Sequence, residues 1–113
     1  MKFLKKKRFY KLKNSNIKIK DIGKIYLKNN EQVTFKFNKS EYDVCKKDWG
    51  YYATPSMNKR LKMFKFRSFL VKNKKNDIYI HLVHSNKILA FKKYLKKENN
   101  YIVKEFTNYK NSN

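Results

Sequence analysis

Residues 48–61 read Asp48, Trp49, Gly50, Tyr51, Tyr52, Ala53, Thr54, Pro55, Ser56, Met57, Asn58, Lys59, Arg60, Leu61, and hold the only tryptophan and the only proline of the chain. Three rings within four positions can stack on a flat ligand or plug a core. Asn58 and Arg60 could hydrogen-bond an anion. Arg60 stands out because the chain has 27 lysines and 3 arginines, and only the planar guanidinium fork grips a carboxylate or phosphate at two points. Two readings stay open. Trp49, Tyr51, Tyr52, Asn58 and Arg60 form a recognition surface for a partner or a small anionic ligand, or the rings seal a sheet beside the start of a helix.

Other reactive side chains are sparse. His81 and His84 are three apart, a spacing that sends side chains to opposite faces of a strand. With Cys45 as the lone further soft ligand, no metal site is expected. Cys45 has no nearby histidine to act as its base, so it reads as a half-buried strand cysteine. Asp43 and Asp48 lie among lysines and do not form a paired-carboxylate site. Two glycines, Gly23 and Gly50, make no phosphate loop. No catalytic residue and no cofactor is expected.

The formal charge is +22, from 30 Lys+Arg against 8 Asp+Glu. Such an excess ordinarily attracts a polyanion through counterion release. Composition offers a second source: Lys, Asn, Ile, Tyr and Phe, all with A/T-rich codons, make up 67 of 113 residues. The charge is front-loaded, with nine Lys/Arg and no acid in residues 1–20. Lys5, Lys6, Lys7, Arg8 and Lys11 interleave there with Phe3, Leu4, Phe9 and Tyr10. This pattern suits a flexible basic arm over 1–16, and also an arm along RNA or a helix on anionic lipid. The membrane surface is the least favoured of these partners. The 17% aromatic share argues against a wholly disordered chain, and large rings are expected to carry most of the core. One cysteine excludes an internal disulfide, and the longest apolar run is the four residues 88–91, so a cytoplasmic location is expected.

The elements that must position these groups follow from periodicity. One domain is expected over 17–107, with a polar tail over 108–113. Ile17, Ile19, Ile25 and Leu27 precede a polar turn at 28–32, and Val33, Phe35 and Phe37 alternate with Thr34 and Lys36, predicting a hairpin with one buried face. Tyr42 and Val44 continue in strand spacing. Thr54 and Pro55 signal a helix start, with Ser56 as rival cap, and Met57, Leu61 and Phe64 form its apolar stripe. Strands follow at 66–72 and 78–83, then a helix over 86–99 capped by Ser85, then a strand at 101–107. The fold class is α+β: an N-terminal β-hairpin followed by a ferredoxin-like β-α-β-β-α-β two-layer unit. That order raises an RNA-recognition sheet with Tyr79 and His81 as stacking residues, but the glycine and paired rings of that consensus are missing. Ordinary sheet surface is the preferred reading.

Glu41, Tyr42, Asp43 and Val44, the block from Trp49 to Asn58 with Arg60 and Leu61, and Phe91, Tyr94 and Leu95 resemble a family of small uncharacterised bacterial proteins. Its pattern there is EYDV…WG(F/Y)YATPS(L/M)N.RL and F..YL, and the similarity spans 21–106. Where the family pattern has a glycine beside Arg60, this chain has Lys59, and the basic arm lies outside the pattern. Such proteins tend to be encoded among surface-polysaccharide biosynthesis genes, which implies an accessory role. The expected function is a non-enzymatic accessory or binding protein in such a pathway, acting through a protein partner. The alternatives are a basic RNA-binding or ribosome-associated protein reached through the arm, and a sugar-nucleotide or glycan-modifying enzyme.

Overall fold

The computed structural model describes residues 2–5, 8–11 and 18–107. Its strands are β1 Lys2–Leu4, β2 Arg8–Lys11, β3 Lys18–Asp21, β4 Lys24–Tyr26, β5 Gln32–Phe37, β6 Ser40–Lys47, β7 Gly50–Ala53, β8 Phe66–Lys72, β9 Ile78–His84 and β10 Tyr101–Glu105. The helices are α1 Arg60–Met63 and α2 Ile88–Lys97, the latter preceded by a 3-10 turn, Ser85–Lys87. Over the described residues the architecture is mixed and strand-rich, with antiparallel sheets and two helices. No helix among the described residues is long and apolar enough to cross a membrane.

The chain forms two compact units, 1–33 with 44–52, and 34–43 with 53–113. Strands β5, β6 and β7 form one three-stranded sheet. Two-residue turns at 38–39 and 48–49 join them, so neighbouring strands run antiparallel.

In the first unit β1 pairs with β4, with Phe3 opposite Ile25, and β2 pairs with β3, with Arg8 opposite Asp21. Residues 2–4 and 8–11, inside the stretch expected as an arm, are therefore strands. Their alternation of rings with cations suits a two-sided ribbon as well as a tail. Gly23 sits where its φ of +152° and the Leu4 carbonyl, 2.2 Å from an added Cβ, exclude a side chain. Its N–H donates to the Asp21 side chain at 3.0 Å, closing the turn between β3 and β4. Because β4 pairs with β1 and β5 with β6, the expected hairpin across 28–32 does not form. The turn itself is present, with Glu31 N–H donating to the Lys28 carbonyl, but it links strands of different sheets.

The second unit is built on the sheet β10-β8-β9. Its order departs from the ferredoxin-like plan, which places β8 at an edge; here β8 is central, and β10 returns over α2 to its free side. Strand and helix order along the chain leaves such neighbours undetermined. Phe69, Val71, Val83 and Leu95 form the buried cluster, with Ile88, Phe91 and Ile102 packed around it. The cross-strand pairs set one face of the sheet, bearing Phe69, Val71, His81 and Val83, against α2. On the other face Leu61 of α1 is buried and Met57 Sδ accepts from Ser68 Oγ at 3.8 Å.

Large rings do not carry the core. The buried hydrophobic residues are Cys45, Leu61, Phe66, Phe69, Val71, Val83 and Leu95, whereas Phe35, Phe37, Trp49, Tyr51 and Tyr52 are exposed.

Candidate functional site

In the first unit the expected recognition rings lie on a β-hairpin rather than on a loop. Asp48 and Trp49 make the two-residue turn, and Gly50, at φ +144°, takes a backbone conformation that disfavours side chains. The turn sets Lys46 opposite Tyr51 and Cys45 opposite Tyr52. Since successive residues of a strand point to opposite faces, Tyr51 and Tyr52 diverge. Trp49 stacks on Tyr52, with ring centroids 6.0 Å apart and planes 24° from parallel. Lys46 Nζ lies 5.6 Å from the Tyr51 centroid, within cation–π range. Trp49 is 67% and Tyr51 63% exposed.

Two lysines missed as site residues in the sequence stand beside these rings. Lys46 Nζ donates to Asn29 Oδ1 at 3.1 Å and to the Lys47 carbonyl, and Lys47 Nζ donates to Asn30 Oδ1 at 2.6 Å. Amide and carbonyl acceptors fix the ammonium groups without cancelling their charge. The one signal for them was two adjacent lysines before the aromatic block, lost in a chain with 27.

Asn58 and Arg60 belong to the second unit and are described with it. Asn58 is exposed in the turn preceding α1. Arg60 Nη2 donates to Oδ2 of Asp43, a buried carboxylate whose side chain also accepts from Thr34 Oγ1 at 2.6 Å and Thr54 Oγ1 at 3.3 Å. The Thr34 hydroxyl, with Arg60 and Thr54, holds the Asp43 carboxyl below its ordinary range. Thr54 is thereby engaged by Asp43 and does not cap the helix; α1 begins at Arg60, after an irregular stretch in which Leu61 N–H donates to the Ser56 carbonyl. The arrangement clasps β5, β6 and the segment before α1 together. It positions Arg60 on a protein carboxylate, with its side chain 44% exposed.

A second ion pair, half-buried, lies on the α2 side of the sheet. Arg67 Nε and Nη2 each donate at 2.6 Å to the two oxygens of Glu105, which also accepts from Thr107 Oγ1 at 2.8 Å. Arg67 holds the Glu105 carboxyl low, and Glu105 in turn raises the guanidinium. His81 sits under α2 with its ring 5.7 Å from that of Phe91, while His84 packs against Phe37 and Phe66 on the opposite face. The two imidazoles diverge as their spacing requires. Burial lowers the pKa of His81, whose Nδ1 is buried without a hydrogen-bond partner. Tyr79 is exposed.

Of the basic residues proposed for polyanion contact, Lys5 is exposed, and exposed Arg8 donates to Asp21 at 3.3 Å. Lys6, Lys7 and the side chain of Lys11 lie outside the described residues. Among the described residues no three His, Cys, Asp or Glu side chains gather into a metal-holding group.

No family model, curated protein or solved structure matches the chain. The functional reading therefore stands on the geometry.

Proposed function

We propose that this chain is a non-catalytic binding protein that holds a macromolecular partner on the aromatic hairpin of β6 and β7. The observation that carries this reading is that the rarest ring in the chain is spent on the surface: Trp49 is 67% exposed and stacked on Tyr52. Exposed Trp and Tyr give large, stiff contact area at little cost in side-chain entropy, and dominate the energetics of many interfaces. Asp43, Arg67 and Glu105 are engaged in ion pairs and His81 in packing, which suits scaffold roles. An accessory task in surface-polysaccharide assembly is the setting that the resemblance implies, and the cytoplasm is the location expected from the lone cysteine and the short apolar runs. RNA binding is a second reading, favoured by Lys46 and Lys47 fixed beside the rings.

Site-specific photo-crosslinking tests the reading. A photoreactive residue at Tyr51 is expected to give a discrete adduct in cells, and the same residue at Leu89, exposed on α2, is expected to give none. Equal labelling from both positions, or none from Tyr51, overturns it.

A further inference from the structure

Resting on that reading, we infer that the Trp49 and Tyr52 pair is a stacking platform for single-stranded nucleic acid, with Lys46 and Lys47 receiving its phosphates. Three independent features converge. First, the two rings already form a short stack, and Trp49 is open on its outer side, so an unpaired base can extend the stack. Base–aromatic stacking tolerates any base because each has a π face. Second, Lys46 and Lys47 are adjacent on β6 and point to opposite faces, so cations flank both sides of the hairpin. Asn29 and Asn30 hold them in place. A held ammonium loses less freedom on meeting a phosphate than one on a free stem.

Third, the surrounding charge favours this occupant over others. The unit made of 1–33 and 44–52 carries 13 basic residues against 3 acidic ones. A second copy of the chain would bring the same excess against itself. A neutral glycan could stack on the rings but would leave the cations without a use. A duplex presents phosphates but keeps its bases paired and stacked. A single strand offers open base faces and a charged backbone together, which is the pairing of groups found here.

The sole tryptophan reports directly on the event. Titration with a thymidine oligonucleotide of about 15 residues is expected to quench Trp49 emission, with an affinity that falls steeply with salt. A duplex of equal length and polyglutamate are expected to bind more weakly at the same salt. With a dye-labelled oligonucleotide, Trp49→Ala and Tyr52→Ala each weaken binding roughly 5- to 100-fold. Lys47→Gln lowers the salt slope by about one. Far-UV circular dichroism confirms that the variants fold. Binding that leaves Trp49 emission unchanged, or that survives both ring variants, overturns the platform and assigns the affinity to bulk charge. Quenching by a neutral oligosaccharide but not by the oligonucleotide overturns nucleic acid as the ligand. The crosslink at Tyr51 separates the two levels: a protease-sensitive adduct sinks the nucleic-acid inference and keeps the binding role, and a nuclease-sensitive adduct supports both.

Discussion

Each of the three arginines meets a carboxylate, Arg8 with Asp21, Arg60 with Asp43 and Arg67 with Glu105. In a chain that uses lysine for solvated charge, arginine is kept where a planar fork is needed. Arg67 shows why, since both of its bonds to Glu105 are 2.6 Å long and an ammonium cannot make them together. Arg67→Lys is expected to cost about 1 kcal/mol in urea unfolding, because one charge-assisted hydrogen bond is lost. Acidification is expected to act in two stages. The pKa of His81 is lowered by burial in the fold, so below about pH 6.5 the unfolded chain takes up a proton first and stability falls. Asp43 and Glu105 are also lowered in the fold, so their stabilisation is present above about pH 4 and is lost below it. His81→Leu is expected to remove the first stage and keep the second, as read from urea midpoints across pH. The scarcity of arginine was visible in the sequence and pointed to a special role for Arg60. Its partner was not, because Asp43 lies 17 residues away and Glu105 lies 38 from Arg67, separations that only tertiary structure closes.

Turns show how a chain with two glycines reverses direction so often. Of the described non-glycine residues with positive φ, Asn30, Asn38, Asn76 and Asn99 are asparagines and the fifth is Lys65. Asparagine tolerates the left-handed region best among side-chain-bearing residues, so an Asn-rich composition supplies turns in place of glycine. Lys65 has no such ease. At φ 62° it follows α1, its N–H donates to the Lys62 carbonyl, and its carbonyl accepts from Ser85 N–H. Lys65→Gly is expected to stabilise the protein by about 1 kcal/mol in chemical unfolding. Lys65→Ala should not, which separates backbone relief from loss of the side chain. Elements with clean alternation were legible: β8 and β9 fall where the sequence predicted strands, and α2 where it predicted a helix. β7 was not, since Trp49, Gly50, Tyr51 and Tyr52 lack a polar-apolar alternation and exposed rings mimic a loop. Strand neighbours were illegible for another reason, because β10 could flank either β6, the first strand of the ferredoxin-like plan, or β8 without changing any local pattern.

Burial is unevenly divided over the described residues. Among the described residues seven hydrophobic side chains are buried: Cys45 belongs to the unit of 1–33 and 44–52, and the other six, with Val71 at 0% exposure, belong to the second. Local stability follows buried apolar contact, so opening free energies should differ between strands with equal hydrogen bonding. The pairing of β2 with β3 covers four residues with exposed side chains at Arg8 and Phe9. β8 is flanked on both sides and roofed by Phe91 and Leu95. Amide hydrogen exchange is therefore expected to be fast in β2, β3 and β4, and slowest at Phe69 and Val71. Leu95→Ala provides the control, because it removes core volume at a cost of about 2–4 kcal/mol. Amides that exchange only through global opening, those of β8, should speed up by that amount. Those that exchange through local fraying, such as Lys20 and Ile25, should keep their rates, since their opening never involved the core. Equal protection across all strands, or equal acceleration by Leu95→Ala, would show that the hairpin-bearing unit shares the cooperativity of the helical sheet. A graded response would mean that the aromatic hairpin is carried by the softer part of the molecule, where ordering on a partner can occur without disturbing the core.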